Sequence, residues 1–351
     1  MKNRLLIALF ATVIFASCKK EEPRDYKASF TTASVDTLLQ DEISIRALAI
    51  DGDKAWYAGS NGKYGWVSLN GGKDFSGVIA RDTLFPEFRS LAQTKDGVFI
   101  LNVGTPALLY KISKDGKRND LVYTESGEKV FYDCLKFYND KEGIAMGDAM
   151  DGALSVLTTK DGGATWVKQP AQNMPKAAEG ENAFAASNTN IVIKGDKVWI
   201  ASGGKKSRIY YSEDKGRKWE VFDTPIVQGK EMTGIFGADF YDDQIGFAVG
   251  GDYEHPDQNF GNKILTEDGG ETWKLVGEKT GFGYASGVQF VPGSNGNELV
   301  TVGQTGVWYS FDRGATWKKI LDDKNLNTLV FKDAKTFIAA GQKEIIRVTL
   351  K

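Results

Sequence analysis

The sequence predicts an all-β protein: a single seven-bladed β-propeller with its ring closed by an N-terminal strand. Three observations predict it. One turn motif recurs at spacings of 44 to 54 residues. Strand-like runs fall in groups of about four per repeat, which is the arithmetic of propeller blades. The composition suits many tight turns and packed sheet faces, with 40 Gly against 8 Pro in 351 residues and 12% aromatic side chains.

The chain opens on an address. Lys2 and Arg4 precede an apolar run over 5–16 that is broken only by Thr12. The run is too short to hold a bilayer span. It ends in Phe15-Ala16-Ser17-Cys18, which resembles a lipobox. Residues 1–17 are therefore expected to be a lipoprotein signal peptide, with lipid carried on Cys18. Residues 18–25 would form a polar tether and residues 26–351 the propeller. Such a chain is a cell-envelope, outer-membrane lipoprotein, tied to the membrane through its N-terminal lipid and facing the periplasm or the cell surface. With Cys18 acylated, Cys134 has no partner, so no disulfide framework is available. Cys134 lies in the alternating run Tyr132-Asp133-Cys134-Leu135 and reads as a small buried hydrophobe. A net charge of -2 offers no basic face for nucleic acid.

The motif has the form S/T-x-D-x-G-x-T-W. It occupies 159–166, 212–219 (with Lys218 in the Thr position), 266–273 and 310–317. A worn copy lies at 68–75 and a degenerate turn at 113–117. Asp161, Asp214, Asp268 and Asp312 are expected to accept hydrogen bonds from turn N–H groups, with the glycine at positive φ. Trp166, Trp219, Trp273 and Trp317 are expected to start the outgoing strand and pack on their own sheet. These residues read as structural. Six turns mark six blades. Beyond Trp317 the runs 326–331, 336–340 and 344–350 make a seventh that is one strand short, and residues 26–34 are expected to supply that strand. Within each unit the second strand ends in glycine, as at Gly59, Gly147, Gly203 and Gly250.

Antiparallel order places the motif turns on one face. Blade-to-blade loops and loops between strands two and three lie on the other. Two long insertions, 167–181 and 252–262, fall on that second face, and long loops on a rigid scaffold point to function. The second insertion contains Asp252, Tyr253 and the single histidine, His255. A lone histidine among carboxylates falls short of a metal ligand set, and neither a metal nor a cofactor is expected. Arg46, Arg89 and Asp133 share one register at the starts of three inner strands, ahead of Leu48, Leu91 and Leu135. With Tyr284 they are expected to ring the channel mouth, where the arginines would hold a carboxylate or a sugar. Glycan hydrolysis would need two carboxyl groups facing across a cleft; Asp133 with Asp148 or Glu181 are the candidates.

The repeated turn is similar to the Asp-box of the BNR-repeat superfamily, and the resemblance covers nearly the whole chain beyond the leader. The tracts 181–189, 246–253 and 283–288 resemble the photosystem II assembly and stability factor-like propellers. That resemblance implies a binding or assembly scaffold for a protein or glycan partner on the loop face. More distantly the repeats resemble sialidases and the xyloglucan-cleaving propellers, which implies a glycan-active hydrolase as the alternative. Members of the assembly-factor group are often labelled oxidoreductase, a lesser alternative, since the chain has neither a dinucleotide glycine fingerprint nor a Cys-x-x-Cys. The expectation is a lipid-anchored scaffold, more a binder than an enzyme.

Overall fold

The computed structural model describes residues 26–351. The expected signal peptide, Cys18 and the tether lie outside the described residues. Antiparallel strands form six sheets. The second sheet holds Phe88–Thr94, Gly97–Asn102, Ala107–Ile112 and Asn119–Glu125. The third holds Tyr132–Phe137, Gly143–Met150, Ala153–Thr159 and Val167–Lys168, and the fourth Ile191–Lys194, Lys197–Ala201, Arg208–Ser212 and Glu220–Asp223. The fifth runs from Thr233–Phe240 through Gly246–Asp252 and Lys263–Thr266 to Lys274–Leu275, extended inward by Gly203–Gly204 and Glu181–Asn182. The sixth is Gly287–Phe290, Leu299–Gly303, Gly306–Ser310 and Lys318–Leu321.

The first sheet joins the two ends of the chain. Its order is Leu326–Phe331, Thr336–Leu350, Ala33–Asp51, Lys54–Gly59, Lys63–Ser68 and Phe75–Val78. Counted as hydrogen-bonded sheets, the propeller therefore has six blades, and the expectation of seven is corrected. The reason is the 19-residue strand Ala33–Asp51. Ala33 to Gln40 pair with Leu350 to Glu344, while Ile45 to Asp51 pair with Gly59 to Lys54. One strand thus serves as both closing strand and inner strand, and despite a register shift between Gln40 and Ser44 it joins into one sheet what the repeat count treats as two units. The sheet still contributes two strands to the central channel, Leu326–Phe331 and the second half of Ala33–Asp51, which pack on each other. Closure also begins later than expected, at Ala33. Upstream, Phe30 packs edge-on against Tyr309 with ring centroids 5.8 Å apart.

The motif turns fold as their chemistry dictates. In the turn at 266–273, Asp268 accepts the Thr272 N–H at 2.9 Å, and Thr266 Oγ1 accepts the Gly270 N–H at 2.9 Å. Burial raises the Asp268 pKa, but the hydrogen bonds from Thr272 and Thr266 outweigh it and hold the carboxyl below the ordinary range. The turns at 159–166 and 310–317 repeat the pattern. In the worn copy Asn70 replaces the aspartate, and Asp74 takes over by accepting the Ser68 N–H at 2.8 Å. The turns also join neighbouring blades. Gly314, at φ 82, lies against the Phe247 ring of the fifth sheet, and Gly163 against Phe99 of the second. The Trp199 indole N–H donates across blades to the Gly269 carbonyl at 2.7 Å. Trp166 likewise packs on both Phe137 of its own sheet and Phe99 of the preceding one, so the expectation that it packs on its own sheet was incomplete.

Candidate functional site

Five channel-lining strands break register at the same place. Arg46 is the extra residue between Ile45 and Ala47, Arg89 between Phe88 and Ser90, and Asp133 between Tyr132 and Cys134. Phe236 and Asn327 occupy the same position on two further strands. A β-bulge opposes two residues to one, twists the strand and re-aims the extra side chain. The bulge also explains the glycines that end the second strands. A Cβ on Gly59, Gly250 or Gly341 would strike the carbonyl of Ser44, Gly234 or Asn325, which the bulge pushes toward it.

The tract 183–190 crosses the channel and closes it. The Arg46 guanidinium donates to the Ala186 carbonyl at 3.2 Å. Ser187 Oγ donates to the Ser286 carbonyl at 2.6 Å, and the Thr328 hydroxyl donates to the Ser187 carbonyl at 3.0 Å. Asn188, at φ 58, accepts the Leu135 N–H at 3.1 Å and donates to the Leu91 carbonyl at 2.7 Å. One short segment is therefore tied to the inner strands of the first, second, third and sixth sheets. Above it remains a blind bowl of about 480 Å³ on the loop face.

The lining of the bowl is both charged and aromatic. Arg46, Arg89, Lys205, Asp148 and Glu231 supply the charges; Phe184, Phe236, Tyr253 and Tyr284 supply an aromatic wall. Phe184 and Phe236 stack with centroids 3.8 Å apart, and Tyr284 meets Phe236 edge-on at 4.7 Å. Arg46 Nε is buried without a partner. Burial, then the neighbouring Arg89 charge, lower the Arg46 pKa from its ordinary value. Arg89 pairs with Glu87 at 3.3 Å. Asp148 accepts the Ala183 N–H at 3.1 Å, and burial raises its pKa to about 6. Such a surface offers unspent cationic donors beside a flat apolar wall, which suits a ligand with an anionic group next to an apolar or aromatic one.

The structure brings Arg46, Arg89, Asp148, Tyr253 and Tyr284 together and leaves other candidates out. Asp133 is fully buried. Burial, and next the Asp148 charge, push its pKa well above the usual carboxylate range, and the Ala185 N–H faces it without completing a hydrogen bond. It is a buried group beneath the bowl rather than a rim carboxylate. Glu181 is buried too. Arg208 donates to it at 2.5 to 3.1 Å, and Ser202 Oγ and the Ala178 N–H complete its shell at 2.6 and 2.8 Å. It anchors the start of the crossing tract. Asp252 is held by Lys230 at 2.9 Å, His255 at 3.1 Å and the Glu254 N–H at 3.0 Å, which pins the 252–262 loop. His255 points outward with 64% of its side chain exposed. Among the described residues no group of three or more His, Cys, Asp or Glu side chains is placed to hold a metal. Cys134 is buried, and burial raises its thiol pKa.

With the geometry established, comparison with known proteins agrees on the architecture. A model of the BNR/Asp-box repeat matches residues 308–319. No curated protein matches the chain. A solved structure described as YCF48 bound to D1 peptide is similar at TM-score 0.63 and 15% identity, covering 92% of this chain and 98% of that one. YCF48 from Cyanidioschyzon merolae gives TM-score 0.63 at 12% identity over 91% and 98%. The GH74 xyloglucanase from Xanthomonas campestris gives 0.63 at 14% identity, over 89% of this chain and 53% of that one. At these identities the likeness shows the fold, a β-propeller.

Sequence reasoning missed Phe184 and Phe236, half of the aromatic wall. A signal was present. The bulge strands share an apolar–X–small–apolar pattern: Ile45-Arg46-Ala47-Leu48, Phe88-Arg89-Ser90-Leu91, Tyr132-Asp133-Cys134-Leu135 and Ile235-Phe236-Gly237-Ala238. Aligning that pattern would have placed Phe236 beside the arginines. Phe184 could be found only from the crossing tract, whose path the repeat does not encode.

Proposed function

We propose that the protein is a binding propeller whose loop-face bowl captures a segment of a protein partner. Arg46 and Arg89 hold an acidic group of that segment, and Phe184, Phe236 and Tyr253 take its adjacent apolar side chain. The observation that carries this reading is the blind, charged and aromatic bowl with an unpartnered buried Arg46 Nε. The similar fold of YCF48, described as bound to D1 peptide, supports a peptide as the class of ligand. The lipobox-like start adds an envelope scaffold anchored through lipid at Cys18. A glycan with a carboxylate is the other ligand the same chemistry would accept.

The hydrolase alternative narrows to one pair. Asp133 and Glu181 are buried, so an acid–base pair in the bowl would have to be Asp148 and Glu231, which also lines it. Asp148 at about 6 suits a general acid.

The test uses the full chain and fluorescent peptides ending in an aromatic residue and a free carboxylate. Wild type is expected to bind them, amidation of the terminus to weaken binding at least tenfold, and Arg89→Gln to weaken the free-acid peptide alone. Equal binding of acid and amide forms would refute the arginine role. Release of new reducing ends from a glycan pool, lost in Asp148→Asn, would move the protein to the hydrolases.

A further inference from the structure

The bowl does not end at Asp148. A second cavity of about 790 Å³ opens from it, and the two share Phe131, Asp148, Gly180 and Asn182. Together they form one groove running from the axis outward over the third sheet. Its floor includes the 150–152 turn, and its sides are the loops at 128–131 and 176–182.

Charge along the groove is divided. The axial end has Arg46, Arg89 and Lys205 against Glu231, with Arg89 also paired to Glu87. The outer arm has Glu128, Asp151 and Glu179, with Lys129 and Lys176 as its cations. Glu128, Asp151 and Glu179 are exposed, and no ion pair among the described residues uses them. Glu181 also lines the arm but is committed to Arg208. Asp148 is shared by both cavities; apart from it the arm presents three carboxyl groups without a cationic partner against two lysines. At physiological salt the screening length is about 8 Å, so groups around one cavity act jointly on a cation placed within it.

We propose that this arm is a subsite for a basic side chain: the partner segment is an extended peptide with Lys or Arg in the arm while its acidic end sits in the bowl. This rests on the peptide-binding reading above and specifies its sequence preference. Extended peptides advance about 3.3 Å per residue, so the basic residue lies a few positions before the acidic end. The opposed charges of the two halves also set direction, because a reversed segment would bring its cation to Arg46 and Arg89 and its anion to Glu128, Asp151 and Glu179.

The experiment compares octapeptides that share an aromatic residue and a free carboxylate, with Lys, Ala or Glu scanned two to five positions before the end. Binding to the full chain is read by fluorescence anisotropy. In dilute salt the best Lys peptide is expected to bind about tenfold tighter than its Ala counterpart, with Glu weaker than Ala, and the difference to collapse in high salt. The triple variant Glu128→Gln, Asp151→Asn, Glu179→Gln is expected to bind the Ala peptide as wild type does and to lose the Lys preference. All three sites are exposed, and Asn tolerates the φ of 54 at position 151, so folding is unaffected. Equal wild-type affinity for Lys and Ala peptides, or a preference that survives the triple variant, overturns the subsite and leaves the peptide-binding reading standing. Failure of every peptide to bind a folded chain overturns that reading and the subsite with it.

Discussion

Glu181→Gln separates a structural carboxylate from a catalytic one. Glu181 has no exposed side-chain surface, and its partner Arg208 has 17%. Removing one member of a buried pair costs about 3–5 kcal/mol, because the other charge is left without compensation. Arg208 keeps some contact with water and retains bonds to the Lys176 carbonyl at 2.9 Å and Tyr210 Oη at 3.0 Å. The lower end of that range therefore applies, about 3 kcal/mol, or a fall in melting temperature of roughly 5 °C for a chain of this size. Urea unfolding measures it directly. The double variant Glu181→Gln, Arg208→Gln should cost at least about 1 kcal/mol less than the sum of the singles. If Glu181→Gln melts within a degree of wild type while ligand binding or glycan cleavage is lost, Glu181 faces a ligand and the structural account fails.

Gly314→Ala places a methyl group against Phe247 at a φ of 82, and is expected to destabilise by about 3 kcal/mol. Gly71→Ala, at φ 78 in open space, isolates the backbone term and should cost only about 1 kcal/mol; equal losses in the two would show that the turn does not pack on its neighbour. Asp148→Asn tests the raised carboxyl pKa. Because the folded value lies near 6 and the unfolded one near 3.8, the stabilising contribution of neutral Asp148 is complete below about pH 4 and is lost as pH rises through 6. Removing the ionisation should therefore flatten stability between pH 4 and 6 by about 2 kcal/mol relative to wild type, after discount for its partial exposure. Asp239 titrates in the same window and remains in both proteins, while Asp133 loses the upward push of the Asp148 charge, so the difference between the two curves reads Asp148 together with its effect on Asp133. Parallel curves would refute the assignment.

The repeat made the architecture legible because each turn is a local device. Asp161, Asp268 and Asp312 bond within their own eight residues, so spacing alone shows where a strand pair turns. The register shared by Arg46, Arg89 and Asp133 was legible for the same reason, since a bulge is written in a few consecutive residues. The blade count was not. It depends on whether Ala33–Asp51 stops between its two pairings, and hydrogen bonding to Thr336–Leu350, some 300 residues away in the chain, decides that. Nor was the division among carboxylates. Asp133, Glu181 and Asp148 are alike in sequence, but one is sealed under the crossing tract, one is bound to Arg208 and one opens to the bowl. Local chemistry determined the turns, the bulges and the face on which the loops gather. Burial and long-range pairing, which exist only once the ring has closed, decided which charges remain free to meet a partner.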